Sequence, residues 1–290
     1  MTIPTKKLNN GFEMPVFGLG TSGMGNNVPL ISLFKDSSKD VNAIKTAIDL
    51  GITHIDTAEI YANGEAEKLV GKAIKDSERE RLFVVSKAYL WHLTYSKIKK
   101  AVLGSLKRLG TNYLDLYLMH RYPGDDKLQE CVKAMDELIE EGLIKHFGVS
   151  NFNLQHTKDT MLLSKHPLRA NQVHYNLIFR EPETTGLLEY CQRNNIMLIA
   201  WRPVEKGELA NPKTEILSAL GVKYQKSPAQ IAINWLISQP NVVTLSKTSN
   251  ITHLKDNLGA VGWQMGQADI EFLRKNFPSK QKISNRLPLE

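Results

Sequence analysis

Short segments rich in β-branched and other apolar residues alternate with amphipathic segments along almost the whole chain. The apolar segments predict β-strands at 52–56, 82–87, 114–120, 146–150, 169–173, 196–200 and 242–246, preceded by a first strand near 15–19. The amphipathic segments predict helices at 39–50, 65–76, 94–109, 127–142, 153–164, 183–194 and 228–238. Strands that alternate with helices pair in parallel, and eight such units in one undivided chain favour a closed (β/α)8 TIM barrel over an open doubly wound sheet.

The N-terminal residues predict a β-hairpin ahead of the barrel. Asn10 and Gly11 stand between two short extended segments in TKKLNNGFEMPV, and Asn-Gly is a strong signal for a tight turn. This hairpin is expected to close the bottom of the barrel, at the N-terminal ends of its strands. No Pro/Gly/Ser-rich or low-complexity linker divides the sequence, so residues 1–290 are expected to form a single barrel domain.

A glycine motif near the N-terminus suggests a dinucleotide site of the Rossmann type. Gly18, Gly20 and Gly23 spell G-x-G-x-x-G, a motif that needs a helix opening within it to hold the pyrophosphate. The following residues read MGNNVPLISLF, with further turn formers and Pro29, and predict no such helix. We therefore interpret the motif as a false match, with Gly20 ending the first strand and residues 21–35 forming a loop over the barrel mouth.

Composition excludes several classes of function. The net charge is +7, but the basic residues of KIKK (97–100) and LKR (106–108) lie at helical spacing, as on a solvated helix face, so nucleic acid is not an expected partner. The N-terminus lacks the apolar core of a signal peptide, and no apolar run approaches the roughly 18 residues of a membrane span. A cytoplasmic protein with reduced Cys131 and Cys191 and without a metal site is expected.

Polar groups are expected to gather at the C-terminal ends of three consecutive strands. Asp56 ends the second barrel strand and is followed by Tyr61, Lys87 ends the third strand, and His120 ends the fourth. Each residue alone has an ordinary structural explanation, such as a capping Asp or a surface Lys. Together they lie on the face where barrels of this kind carry their chemistry.

The charges of this group indicate what it can do. A tyrosine of pKa about 10 becomes a useful proton donor to a carbonyl oxygen if a neighbouring ammonium lowers that value. Asp56 is expected to pair with Lys87 and hold it beside Tyr61, while His120 orients the substrate oxygen by a hydrogen bond. No side chain supplies the hydride that the carbonyl carbon then needs, so a nicotinamide cofactor is expected.

Longer stretches of the chain carry a family resemblance. The aldo-keto reductase superfamily has motifs similar to DTAEIYANGEAEKLVGKAI (56–74), LDLYLMH (114–120), KHFGVSNF (145–152), NQVHYN (171–176) and LSKTSNITHLKDN (245–257). The resemblance implies a (β/α)8 barrel that binds NADPH in extended form and reduces aldehydes and ketones reversibly by hydride transfer. It also implies that Asp56, Tyr61, Lys87 and His120 form the catalytic tetrad, with Tyr61 as general acid.

The same resemblance implies the cofactor contacts. Ser150, Asn151 and Gln172 correspond to residues that hold the nicotinamide carboxamide, and Trp201 stands where a stacking Tyr is usual. Arg202 to Lys206, including Val204, would run beside the pyrophosphate. Lys247, Thr248 and Ser249 would lie at the adenosine end, where Lys247 and Thr248 would hold the 2′-phosphate. The remaining expected contacts are Gly20, Thr21, Asp56, His253, Asp256 and Asn257, the last two with adenine.

Two departures from the family pattern affect specificity. His253 replaces an Arg that grips the 2′-phosphate, so NADPH remains the expected cofactor but NADH is an alternative. Arg121 follows His120 where Trp is common. It either gives the pocket a charged wall that favours acidic carbonyl compounds, or it is turned to solvent or paired with Asp125 or Asp126. Trp91 is expected to form another wall of the substrate pocket.

Other functions remain open on sequence grounds. One is a nucleotide-binding regulatory or structural barrel without significant turnover, against which the complete tetrad argues. Another is a Schiff-base aldolase that uses Lys87 as its nucleophile, against which the neighbouring Asp56 argues. For the main hypothesis the expected partner is a small-molecule carbonyl substrate, and the expected assembly is a monomer or weak oligomer.

Overall fold

A computed structural model of the protein describes residues 2–25, 37–277, 283–284 and 286–290. Its barrel strands are β3 (Phe17–Gly20), β4 (His54–Asp56), β5 (Phe83–Ala88), β6 (Leu114–Met119), β7 (Ile144–Ser150), β8 (Ala170–His174), β9 (Met197–Trp201) and β10 (Val242–Lys247). They pair in parallel in chain order, and β10 pairs with β3 to close the barrel. The predicted (β/α)8 architecture is therefore confirmed.

The hairpin predicted at the N-terminus is present as β1 (Thr5–Lys7) and β2 (Glu13–Pro15), which pair antiparallel. Gly11 takes a φ of 83° in the connecting turn, a left-handed conformation that glycine adopts without a steric cost. Leu8, Phe12 and Met14 are buried in one cluster with the inward-facing apolar side chains of the barrel strands. The hairpin therefore closes the bottom of the barrel, as expected.

Helices surround the barrel. In chain order they are α1 (Ser38–Asp49), α2 (Glu65–Ile74), α3 (Tyr95–Leu109), α4 (Asp125–Glu140), α5 (Leu154–Leu163), α6 (Glu181–Thr184), α7 (Leu187–Arg193), α8 (Glu215–Tyr224), α9 (Pro228–Ile237), α10 (Ile251–Leu258) and α11 (Gln267–Asn276). Their apolar faces pack on the outer side of the strands in a second, larger core cluster. Within the described residues, no helix is both long enough and apolar enough to cross a membrane.

Most predicted helices agree with the structure to within a few residues, but one predicted helix is divided in two and two helices were not predicted. The helix expected at 183–194 is divided between α6 and α7, because Gly186 takes a left-handed φ of 76° that interrupts it. The sequence interpretation missed α8 and α11. The loop predicted for residues 21–35 is described only as far as Gly25, and its remainder lies outside the described residues.

One glycine makes the barrel interior possible. Gly18 on β3 faces the buried ring of His54 on β4, and a Cβ added at Gly18 would lie 2.3 Å from His54 Nδ1. Real side chains do not approach so closely, so the imidazole fits inside the barrel only because residue 18 has no side chain. This explains the first glycine of the motif by packing rather than by phosphate binding.

Candidate active site

The carboxyl ends of β4 and β5 bring Asp56 and Lys87 together. Lys87 Nζ donates to Asp56 Oδ1 at 2.6 Å and to the carbonyl oxygen of Thr57 at 2.8 Å. The two side chains are 0% and 2% exposed, so the ammonium and its counter-ion are shielded from water. Burial lowers the pKa of Lys87, but the charges and hydrogen bonds of Asp56 and Tyr61 together outweigh burial, so the net effect raises that pKa. The lysine is therefore held as an ammonium, which is a poor nucleophile for Schiff-base chemistry.

Gln172 on β8 holds the other oxygen of the same carboxylate. Its side-chain amide donates to Asp56 Oδ2 at 2.8 Å from across the barrel mouth. Both carboxylate oxygens of Asp56 thus have a buried partner, which fixes the orientation of the carboxylate and through it the position of Lys87. The sequence interpretation placed Gln172 among the nicotinamide contacts and did not anticipate this bond.

Tyr61 follows β4 in a short 3₁₀ turn, Tyr61–Gly64. Ala62 and Asn63 in this turn have φ values of 50° and 52°, which is the left-handed region that side chains disfavour. The turn therefore holds the chain in a strained conformation directly after the phenol. Lys87 Nζ lies 5.1 Å from the centroid of the Tyr61 ring.

The pKa of Tyr61 is shifted in the direction opposite to the one that the charge of Lys87 alone would give. Burial raises the pKa of Tyr61, and the nearby ammonium of Lys87 lowers it without reversing the shift. The charge of Lys87 therefore does not produce the net lowering of this pKa that the sequence interpretation considered. Asp56 explains part of the difference, because its carboxylate partly cancels the charge of Lys87 and itself raises the tyrosine pKa. At neutral pH Tyr61 is a protonated phenol that can donate a proton.

His120 lies directly after β6 and completes the group. Its ring meets the ring of Tyr61 edge to face at 5.9 Å and that of Tyr89 at 5.6 Å. Burial lowers the pKa of His120 well below its ordinary value, and the charges of Lys87 and Arg121 lower it further. The imidazole is therefore neutral, and its buried Nδ1 lacks a hydrogen-bond partner among the described residues.

Ser150 and Asn151 lie at the end of β7, beside His120. The Asn151 amide donates to Ser150 Oγ at 3.0 Å and to the His120 carbonyl oxygen at 3.3 Å, while Ser150 Oγ donates to the Gln172 carbonyl oxygen at 3.0 Å. The structure thus brings together the three residues expected near the carboxamide. Trp201 adjoins them, because its indole Nε1 donates to Asn151 Oδ1 at 3.3 Å.

The loop after β9 has an unusual backbone. Arg202, Glu205 and Lys206 have φ values of 60°, 39° and 54°, all in the left-handed region. The Glu205 carboxylate turns inward and is 7% exposed, and His174 Nε2 lies 2.7 Å from its Oε2. Asn176 donates to the same oxygen at 3.0 Å. The sequence interpretation named the segment from Arg202 to Lys206, which includes Glu205, but it missed the buried contacts of Glu205 with His174 and Asn176.

The expected phosphate residues follow β10, which lies between β9 and β3 in the barrel. Lys247 is exposed at the end of β10. Its side chain lies beside the turn at Gly23, because a Cβ added to Gly23 would lie 3.5 Å from Lys247 Nζ. Thr248 Oγ1 accepts a hydrogen bond from the Asn250 backbone N–H at 3.0 Å. Asn250 in turn caps α10 by accepting from Thr252 and His253. A lysine and a hydroxyl therefore stand before a helix N-terminus, which is a favourable setting for phosphate.

Asp40, which the sequence interpretation missed, links this region to the glycine turn. Its Oδ1 accepts from Ser249 Oγ at 3.0 Å and its Oδ2 from the Gly25 N–H at 3.1 Å. Gly20 and Thr21 lead into that turn, and Thr21 Oγ1 donates to the Asp56 carbonyl oxygen at 3.0 Å. Thr21 is thus turned towards the backbone of β4.

The residues of α10 that were expected to contact adenine or phosphate have distinct surroundings. His253 is exposed on the first turn. Asp256 is held by the side chains of Gln230 and Ser227, at 3.0 and 3.2 Å. Asn257 is buried and donates to Ser246 Oγ at 2.8 Å. These three positions share the helix, but the last two already have partners within the protein.

Trp91, which was expected to line the substrate pocket, lies at the rim of the mouth. Trp91 is 57% exposed, and its ring contacts Tyr89 with centroids 4.4 Å apart. Glu59 holds this segment by accepting hydrogen bonds from the Tyr89 N–H at 2.6 Å and from His92 Nδ1 at 2.8 Å. Trp91 and Tyr89 thus form an aromatic edge next to His120.

Arg121 pairs with a residue that was not considered in either of the two alternatives drawn from the sequence. Its guanidinium forms an ion pair with the side chain of Glu290, with Nε donating to Oε2 at 2.8 Å. The backbone of Glu290 is anchored as well, since its N–H donates to the Asn151 carbonyl oxygen at 2.7 Å. The expected pairing with Asp125 or Asp126 is therefore replaced by a contact with the C-terminal segment.

Comparison with known proteins agrees with this geometry. The profile of the Aldo/keto reductase family matches residues 16–275. The chain belongs to the aldo-keto reductase family. It is 35% identical to the methylglyoxal reductase YeaE of Escherichia coli (strain K12), over 92% of each chain. As an aldo-keto reductase it is an oxidoreductase that acts on carbonyl groups with a nicotinamide cofactor.

Solved aldo-keto reductases share the fold over almost their full length. The thermostable aldo-keto reductase Tm1743, solved with the inhibitor epalrestat, is 38% identical with a TM-score of 0.87, covering 93% of this chain and 98% of that one. An aldo/keto reductase from Klebsiella pneumoniae, solved with NADP and acetate, is 32% identical with a TM-score of 0.84 over 100% of both chains.

Proposed function

We propose that this aldo-keto reductase reduces aldehydes and ketones to alcohols with NADPH, with Tyr61 as the general acid. The observation that carries the proposal is the buried Lys87 ammonium, which is bonded to Asp56 at 2.6 Å and lies 5.1 Å from the Tyr61 ring. An ammonium here stabilises the phenolate that forms when Tyr61 gives up its proton. The cofactor, when bound, supplies hydride to the carbonyl carbon.

The roles of the other two tetrad residues follow from their charge. Asp56 keeps Lys87 protonated and fixed, so it acts through the lysine. His120 is neutral, because burial and two nearby cations lower its pKa, and it is suited to donate a hydrogen bond to the carbonyl oxygen rather than a full proton. Tyr61 remains as the group that can transfer a proton.

The donor set at the mouth fits an extended dinucleotide phosphate. Trp201 offers a partly exposed aromatic surface at the nicotinamide end, beside Asn151 and Ser150. Lys247, Thr248 and the N-terminus of α10 offer a cation, a hydroxyl and backbone N–H groups for a 2′-phosphate at the other end. This set supports NADPH over NADH, and the NADP-bound Klebsiella relative agrees with it.

We propose short α-oxo aldehydes as the first substrates to examine, since a methylglyoxal reductase is among the relatives. Such substrates are small, and the aromatic edge of Tyr89 and Trp91 beside His120 can bind them without a deep pocket. We also propose that residues 1–290 form one domain that acts on small molecules.

The test is the loss of reduced nicotinamide absorbance with NADPH or NADH, using methylglyoxal and a panel of aromatic, aliphatic and acidic aldehydes. Tyr61→Phe should lower kcat by about 10²-fold or more, while NADPH still binds. Tyr95→Phe is the matched control, since Tyr95 lies on α3 and bonds to Glu137. Full activity in Tyr61→Phe would refute the assignment of the general acid.

A further inference from the structure

His174, at the end of β8, lies in the centre of an aromatic stack. Its imidazole packs on Trp201 with centroids 4.1 Å apart and an angle of 11° between the planes. Phe179 packs on it as well, at 4.4 Å and 27°. The His174 side chain is only 1% exposed, so it supports Trp201 from within the protein.

Both ring nitrogens of His174 have partners. Nε2 lies 2.7 Å from Glu205 Oε2, and Nδ1 lies 2.7 Å from Ser284 Oγ. The pKa of Glu205 is lowered, which keeps it an anion that only accepts, so Nε2 carries the proton of this bond. Burial lowers the pKa of His174, so Nδ1 of the neutral ring accepts from the Ser284 hydroxyl.

The bond to Glu205 reaches the strained loop after β9. Glu205 has a φ of 39°, and its carboxylate also accepts from the Asn176 amide and the Arg202 guanidinium, at 3.0 and 3.3 Å. A left-handed backbone at a non-glycine residue persists only where its surroundings fix it. The partners of the Glu205 carboxylate are among the contacts that fix this loop, together with the bond from the Asn176 amide to the Arg202 carbonyl oxygen at 2.8 Å.

We propose that His174 is a positioning residue that couples the Trp201 ring to the conformation of the 202–207 loop. Stacking holds the indole, and the hydrogen bond to Glu205 holds the loop that follows it in the chain. A further bond to Ser284 ties the C-terminal segment to the same imidazole. The cofactor role of this coupling rests on the proposed function, which places the nicotinamide beside Trp201, and on the sequence-based expectation that Arg202 to Lys206 run beside the pyrophosphate.

His174→Phe separates the two contributions, because a phenyl ring keeps the stack and loses both hydrogen bonds. His156→Phe is the matched control: His156 stacks on Tyr122 at 3.6 Å and 2°, and its Nδ1 has no partner among the described residues. We expect His174→Phe to raise the Kd for NADPH, measured by fluorescence quenching, by about tenfold, as for a lost bond to a charged group. The kcat should change by no more than about twofold, because Trp201 keeps its support.

Two further measurements complete the test. Amide hydrogen exchange of residues 202–210 without cofactor should be faster in His174→Phe than in wild type or His156→Phe. In the His174→Phe background, Glu205→Gln should restore part of the affinity, because an amide tolerates the lost donor better than a buried carboxylate does. If His174→Phe does not fold, Glu205→Gln alone should still accelerate exchange in the loop.

The outcomes distinguish this inference from the proposed function. Equal rates of amide hydrogen exchange at residues 202–210 in His174→Phe and wild type would overturn the coupling, regardless of which cofactor the protein binds. Faster exchange with unchanged NADPH affinity would overturn its role in cofactor binding. A wild-type protein that binds no NADPH would refute the proposed function, and the exchange measurement would still decide whether His174 holds the loop.

Discussion

Lys87 Nζ lies 2.6 Å from Asp56 Oδ1 in a site where the lysine side chain has no exposure to water. Such a pair is stable only while both partners are present, because either charge alone would be buried without compensation. The functional ion pair is therefore also a structural element, and variants of it test both roles.

Asp56→Ala should lower the free energy of unfolding by about 3–5 kcal/mol, since Lys87 is left without its counter-ion. Lys87→Met in the Asp56→Ala background should recover much of that loss, because it removes the uncompensated charge. Urea denaturation of the two single variants and the double variant measures the coupling. Additive effects would mean that the pair contributes nothing to stability.

Glu290→Gln should change the charge that substrates meet at the mouth. In the structure the Glu290 carboxylate neutralises Arg121, which follows the neutral His120. Removing that charge frees the guanidinium, so the KM for an acidic aldehyde should fall by about threefold to tenfold while that for a neutral aldehyde stays constant. Arg121→Met should abolish the difference. Equal effects on the two substrates would show that Arg121 does not face the substrate.

His253→Arg should increase the preference for NADPH over NADH. His253 is exposed on the first turn of α10, the helix that follows Lys247 and Thr248 in the chain, and an arginine there can bind a phosphate with two hydrogen bonds. The Kd for NADPH should fall by about threefold to tenfold, with a weaker effect at high salt, while that for NADH stays unchanged. An equal gain for both cofactors would place this residue away from the 2′-phosphate.

Stability should decrease as the pH falls from about 6.5 towards 4. Burial lowers the pKa of His54 from 6.5 to about 4, so in this interval the unfolded chain binds a proton that the folded protein does not. The contribution is fully present above pH 6.5 and amounts to about 3 kcal/mol. His54→Leu should flatten the stability profile between these pH values in urea titrations. An unchanged slope would mean that His54 titrates normally in the folded protein.

The barrel could be predicted from the sequence because the pattern that specifies it, the alternation of strand and helix segments, is visible in short stretches of the chain. Alternating strands and helices are visible in the order of residues, and strand ends alone placed Asp56, Lys87 and His120 on one face. What it missed depends on contacts between distant segments. Glu290 is 169 residues from Arg121, and the partners of His174 lie on the loop after β9 and near the C-terminus.

The direction of the pKa shift of Tyr61 could not be predicted from the sequence for a related reason. The prediction considered the lysine and not the burial and the carboxylate that act against it. The helix at Glu215–Tyr224 was missed because two of its residues, Gly221 and exposed Val222, disturb an amphipathic pattern. In both cases the missing information is the environment that folding creates.

The fit between Gly18 and His54 has an evolutionary consequence. These two positions share one volume, so a side chain can appear at residue 18 only when residue 54 becomes smaller. Among related sequences we expect the pair to covary, with a larger residue at one position accompanied by a small one at the other. A library randomised at both positions should recover active combinations that neither single substitution allows.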